Sequence, residues 1–196
     1  MKQPVLRDLI ASGFLAALCA LVACPAAVAA APADVAVYAE YSPASKVIAA
    51  NWNTRIFDKR EFQEGSRISL EDGTGVITLQ PGLYHVTASS LVTYFDPSSP
   101  TTTPVNANPP GGYARLRNAD DPAQTTKNEK ALAIGTVSNA DTIPSLIDTY
   151  LRITKTTRMV LEHQIGTEIT GVYLHVYTAN SAWHVFARIA IQRVGP

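Results

Sequence analysis

The stretch LYHVTASSLVTYF, residues 83–95, decides how the rest of the chain is read. Alternate positions fall into two sets: Tyr84, Val86, Ala88, Ser90, Val92 and Tyr94 on one face, Leu83, His85, Thr87 and Ser89 on the other. A period of two is the signature of a strand, and the lack of any charge predicts that both faces are covered. Just upstream, GTGVITLQPG (73–82) reads as a strand closed by a Pro-Gly turn.

The same pattern repeats outward in both directions. VAVYAEY (35–41) and NWNTRIF (51–57) are short apolar-polar runs on the N-terminal side. On the C-terminal side follow YARLRN (113–118), ALAIGTVS (131–138), SLIDTYLRIT (145–154), RMVLEHQIG (158–166), GVYLHVYT (171–178) and AWHVFARIAIQRV (182–194). Turn-forming clusters separate them, and no segment has an amphipathic helical period. The prediction is an all-β fold of nine or ten strands, a sandwich or a barrel. Residues 96–112 hold five prolines and little to bury, which predicts an exposed loop.

Composition agrees and removes whole classes of function. Of 196 residues only 16% are charged, with 16 basic against 16 acidic. No global field draws the chain to nucleic acid or an anionic membrane. The N-terminus differs: Lys2 and Arg7 precede an apolar run of ten, Phe14–Ala23, and then the small residues of CPAAVAAAPA. This reads as an export signal helix spanning 1–29, too short to anchor stably in a bilayer. The segment 30–49 then carries the first strand, and 50–196 the sandwich domain. Cleavage after Ala29 gives a secreted or periplasmic protein with a net charge of about −1. Alternatively Leu21-Val22-Ala23-Cys24 resembles a bacterial lipobox, which ends the signal at residue 23 and makes Cys24 a lipidated first residue on the envelope. Membrane attachment follows only in that case. Cys19 and Cys24 are the two cysteines, so neither cut leaves a disulfide, and a hydrophobic core or an oligomer has to stabilise the domain.

Gly82-Leu83-Tyr84-His85-Val86 opening a strand resembles a recurring signature of the complement-component-one-q and tumour-necrosis-factor superfamily. The runs YARLRN, ALAIGTVS, SLIDTYLRIT with RMVLEHQ, and HVFARIAI follow in the order of that family's strands, over about residues 50–194. The pattern is nearest that of bacterial and phage-borne members, in which a leucine or isoleucine, one residue and then His-(Gln/Arg) recurs, as at Leu161–Gln164. The resemblance implies a jelly roll that assembles as a homotrimer and acts by binding a protein or glycan, or as a structural component. Ala187 or Arg188 stands where a glycine is frequent in the last strand of eukaryotic members, and no Gly-X-Y repeat occurs in these residues.

Candidate chemistry is sparse, and no cofactor motif is present. Ligand binding points to Trp52, Tyr173, His175, Tyr177 and Trp183: a monomeric carbohydrate-binding sandwich would use Trp52, Trp183 or the Tyr173/Tyr177 strip as a stacking platform. Asp120 and Asp121, near Asn118 and Glu129, offer oxygen ligands for a hard cation, while a solvated loop accounts for them equally. An enzyme would have to be built on His163, His175 or His184 with a carboxylate. Glu162 and His163 are adjacent on one strand and face opposite sides; His163 shares its face with Met159 and Leu161 and reads as a half-buried, hydrogen-bonded histidine. Arg115, Arg117, Arg152 and Arg158 read as solvated sheet faces. A hairpin centred on Ala179-Asn180 would set His175 opposite His184, but Ala-Asn is a poor two-residue turn. In the jelly roll that the resemblance implies, these last two strands lie in opposite sheets.

Overall fold

The computed structural model describes residues 34–41, 46–94, 110–121, 131–139, 143–166, 172–175 and 184–196. The signal segment, Cys24, residues 96–109 of the proline-rich loop, Glu129, Tyr177 and Trp183 lie outside them, whereas Pro110, Gly111 and Gly112, expected in that loop, open the strand Pro110–Asn118 and Gly111 is buried. Fourteen strands and no helix occur among the described residues.

Two antiparallel sheets form the sandwich. The first contains β1 (Val35–Glu40), β4 (Lys59–Glu64), β7 (Gly82–Ser90), β11 (Ser145–Ile153) and β14 (Ala187–Gly195), in the order β11-β7-β14-β1-β4. The second runs β10-β9-β12-β6-β5, from β10 (Ala133–Asn139), β9 (Pro110–Asn118), β12 (Thr157–Gln164), β6 (Val76–Leu79) and β5 (Ile68–Glu71), with β3 (Asn53–Thr54) also paired to β12. The chain crosses between the sheets on passing from β6 to β7, β7 to β9, β10 to β11 and β11 to β12, as a jelly roll does.

Alternation explains the core. Along β7 the burial follows the sequence pattern strictly, with Tyr84, Val86 and Ala88 inward. They meet Ile147, Leu151, Ile189 and Ile191 of their own sheet and Ile77, Leu79, Leu116, Met159 and Leu161 of the other. Side chains of this kind each contribute about 1.5–3 kcal/mol when removed from water. The opposite face of β7 is only half-buried, so the expectation that both faces are covered holds for one face within a single chain.

The long run 83–95 is not one strand. It stops at Ser90 and resumes as β8 (Thr93–Tyr94) in a third, three-stranded sheet, β2-β13-β8, with β2 (Lys46–Val47) and β13 (Val172–His175). This small sheet corrects the expected position of the last two strands. β12, not β13, lies opposite β14 in the sandwich, and β13 pairs with Val47, Lys46, Thr93 and Tyr94. His175 ends β13 and His184 precedes β14, and these two strands lie in different sheets, so among the described residues they do not pair as a hairpin.

Two glycines sit in tight space. Gly82 does not have a positive φ; a Cβ there would lie 2.7 Å from the Arg193 Nε, so a side chain at 82 requires that arginine to shift. Gly112 has φ +69° and a Cβ would fall 1.7 Å from the Gln164 carbonyl oxygen.

Candidate functional site

Three arrangements account for the polar and aromatic residues that sequence reasoning set apart. The first is a sealed chain of hydrogen bonds at the end of the sandwich where β1 and β7 finish. Ser90 and His163 point inward from β7 and β12, and both are fully buried. The Arg55 Nε donates to the Ser90 Oγ at 2.9 Å. Ser90 is 2.7 Å from the His163 Nδ1, and the His163 Nε2 is 2.5 Å from the Gly111 carbonyl. Only one proton arrangement satisfies every group: Arg55 donates to Ser90, Ser90 to Nδ1, and Nε2 to Gly111. Burial, with the Arg55 charge next in effect, pushes the His163 pKa down to about 3, so the ring is neutral. Arg55 also pairs with Glu40 at 3.1 Å and donates to the carbonyls of Leu174, at 2.7 Å, and of Leu91. Burial lowers the Arg55 pKa and Glu40 opposes that shift. A serine–histidine contact of this kind suggests a nucleophile and base, but here it is fully buried and its second nitrogen is bonded to a carbonyl instead of an acid.

The second arrangement lies on the outer side of the six-stranded sheet. Arg115 points outward from β9, yet it is fully buried, which overturns its reading as a solvated residue. Its guanidinium stacks 3.8 Å above the Trp52 ring, and Glu162 accepts from Arg115 at 2.9 Å and from Arg117 at 2.9–3.0 Å. Tyr113 meets the Trp52 edge at 5.4 Å. Alternation gave the side correctly; it could not show that Trp52, from a different part of the chain, covers it. The same stack spends one face of Trp52 on its own chain, leaving less of it for a sugar.

The third is the outward face of the five-stranded sheet. Strand register aligns Phe62, Val37, Ala190, Thr87 and Asp148 in one row, and Glu64, Val35, Gln192, His85 and Tyr150 in the next. Ala39, Arg188, Ser89 and Leu146 make a third. The middle of this face is small or neutral. Phe62, Leu146, Tyr150 and Val194 stand 45–65% exposed on it. Of its charges, Arg188 pairs with Glu61 at 2.9 Å and Asp148 lies 2.7 Å from the His85 Nε2, while Lys59 and Glu64 stand exposed on the β4 margin. His85 also stacks on Tyr150 at 4.8 Å. A groove of about 300 Å³ runs through it, lined by Thr87, Ser89, Leu146, Asp148, Arg188 and Ala190. A second exposed apolar group, Ile134 and Val137 on β10 with Ile143 beyond its end, marks the adjoining edge of the sandwich. Sequence reasoning missed both, although the face is readable as the odd-numbered register of β7 once its neighbours are known.

The remaining candidates fall elsewhere. Tyr173 is half-buried on β13, and the His175 backbone pairs with Lys46. His184 is exposed, with Phe186 at 6.2 Å. The Asp120 carboxylate is 2.7 Å from Arg158, whereas the Asp121 carbonyl accepts from Arg117 at 3.5 Å. Among the described residues no group of three or more histidines, cysteines and carboxylates converges as a metal site.

No family model matches the chain, and no curated protein matches it. Among solved structures, murine APRIL at pH 8.0 aligns over 83% of this chain and 99% of its own, with a TM-score of 0.45 and 7% identity. Murine APRIL at pH 5.0 gives the same coverage, a TM-score of 0.46 and 6% identity. At those values the alignments are similarities of chain path, and nothing further is built on them.

Proposed function

We propose that the chain is an exported, non-enzymatic binding or structural protein whose jelly-roll heads associate as homotrimers. The observation that carries this reading is the pair of unlike apolar surfaces, the sheet face with Phe62, Leu146, Tyr150 and Val194 and the β10 edge with Ile134, Val137 and Ile143. Phe62 on β4 and Leu146 and Tyr150 on β11 stand at opposite margins of the sheet face, and exposed apolar groups of this kind mark an interaction site where a partner spans them. Because the two surfaces differ, the contact that satisfies both is heterologous, face to edge, and such contacts form a ring where the rotation between copies closes. Three is the number implied by the superfamily resemblance of Gly82–Val86 and the strands after it. The reading of export rests on the N-terminal segment, and an unidentified protein or glycan would be the ligand of the assembled head.

Light scattering coupled to size exclusion tests the assembly. The purified full chain should elute at three times its monomer mass at micromolar concentration. Ala190→Arg, which puts a charge in the middle of the face, should shift it to monomer without unfolding. A wild-type monomer at that concentration removes the proposal. Whether the chain is lipid-anchored is a separate question: Cys24→Ala releases a lipoprotein from the membrane fraction and leaves a soluble export product unchanged.

A further inference from the structure

The small sheet β2-β13-β8 has an apolar cluster of its own, Ile48, Val92 and Leu174, with Ile165 packed against it, distinct from the main core. Two polar side chains tie this sheet to the sandwich. Arg55 holds the Leu174 and Leu91 carbonyls, and the Asn53 side chain exchanges hydrogen bonds with Ala49, accepting at 3.0 Å and donating at 2.8 Å. Both ties also reach His163: Arg55 through Ser90, and Asn53 through its contact with the His163 carbonyl at 3.5 Å.

We infer that β2-β13-β8 is a cap that opens separately from the sandwich, and that the Glu40–Arg55–Ser90–His163 chain is an acid-sensitive latch holding it shut. Facing His163 are Ser90 of β7, Gly111 of β9, Asn53 of β3 and, behind Ser90, the Arg55 guanidinium, with Glu40 of β1 beyond. Glu162, its neighbour on β12, points to the opposite face toward Arg115 and Arg117. The latched ring has no room for a second proton, since Nδ1 already accepts from Ser90, and a cation there would face the positive charge of Arg55. Opening the cap withdraws Arg55's partner on Leu174 and lets water reach the ring. Acid then favours the open form, because its wetted ring takes up the proton at a higher pH than the latched ring does. A cap with its own small apolar cluster, separate from the main core among the described residues, belongs to the low-stability end of such a fold. This inference is independent of the oligomeric state.

Native-state hydrogen exchange of the full chain, read as protection factors so that the intrinsic pH dependence of exchange is removed, tests it. At pH 7.5 peptides over 46–48, 91–94 and 172–175 should exchange together at lower protection than β7 and β14. Below about pH 6.5 the cap's protection should fall by up to tenfold per pH unit. His163→Gln, which keeps a donor for Gly111, should flatten that slope. Should this variant fail to fold, Leu174→Ala serves instead: it should lower cap protection while leaving β7 and the pH slope as they were. Cap and sandwich exchanging in a single step would overturn the separate cap. A cap whose protection does not change with pH would overturn the latch.

Discussion

His163 carries its ring proton on Nε2 because Gly111 accepts there and Ser90 donates to the other nitrogen. The consequence for stability has a definite sign. The folded pKa, about 3, lies below the ordinary value of 6.5, so folding disfavours protonation. Stability is complete above about pH 6.5 and is lost as the pH falls from there toward 3, by up to about 1.4 kcal/mol per unit. Urea denaturation at pH 7.5 and at pH 5.5 should differ by about 1.4 kcal/mol, and His163→Gln should remove most of the difference. Ser145 is a second residue whose role is arithmetical: its Oγ accepts from the Ala114 N–H at 2.9 Å and donates to the Thr136 carbonyl at 2.6 Å. Ser145→Ala leaves both backbone groups without that partner, a loss of about 1–3 kcal/mol in the same assay. How much of this was readable in sequence differs by residue. The neighbours Met159 and Leu161 place His163 indoors, and the alternation of β7 places Ser90 on the inward face. That the two meet depends on register across 73 positions, which no local pattern encodes.

At the scale of elements, strands declared themselves where one face is apolar and hid where both are polar. β7, β11 and β12 were legible from alternation, as was the turn before Gly82. β4, KREFQE, was not: it lies at the edge of its sheet and all its side chains except Gln63 are exposed, so nothing buried writes a period into it. The two-residue pairings β2, β3 and β8 are below the length at which any period exists. Aromatic candidates failed to translate for a similar reason, since Trp52 is used to cover Arg115 and the sequence gives no sign of that contact. A glycine pair tests the backbone side. Gly112→Ala puts a Cβ against the Gln164 carbonyl at a positive φ and should prevent folding or cost more than about 3 kcal/mol. Gly73→Ala, at φ +76° but with open space around it, should cost only about 1 kcal/mol. Thermal melts of the two variants separate crowding from conformational preference.

For the whole molecule, the distinction between a face and an edge makes the assembly testable by complementation. Ala190→Arg spoils the face and leaves the β10 edge intact; Val137→Arg spoils the edge and leaves the face. Each variant alone should be monomeric. Mixed in equal amounts, they can form one good contact between them and no second, so light scattering should report a heterodimer and nothing larger. A two-fold interface built from one patch would give no recovery on mixing, and that result would remove the ring. The closed stoichiometry is the part the sequence could suggest only through the resemblance at Gly82–Val86, because an interface between copies leaves no periodic trace in one chain.

The charges of β4 then acquire a second meaning. An outer strand of a sheet offers a row of unpaired backbone groups to any other strand, and Lys59, Arg60, Glu61 and Glu64 crowd the approach to that row. Under the proposed association, copies that meet on one flat face would also have to be kept from adding side by side along this edge. Neutralising those four side chains should then turn a bounded oligomer into one that extends from the β4 edge, which electron microscopy would show as fibres.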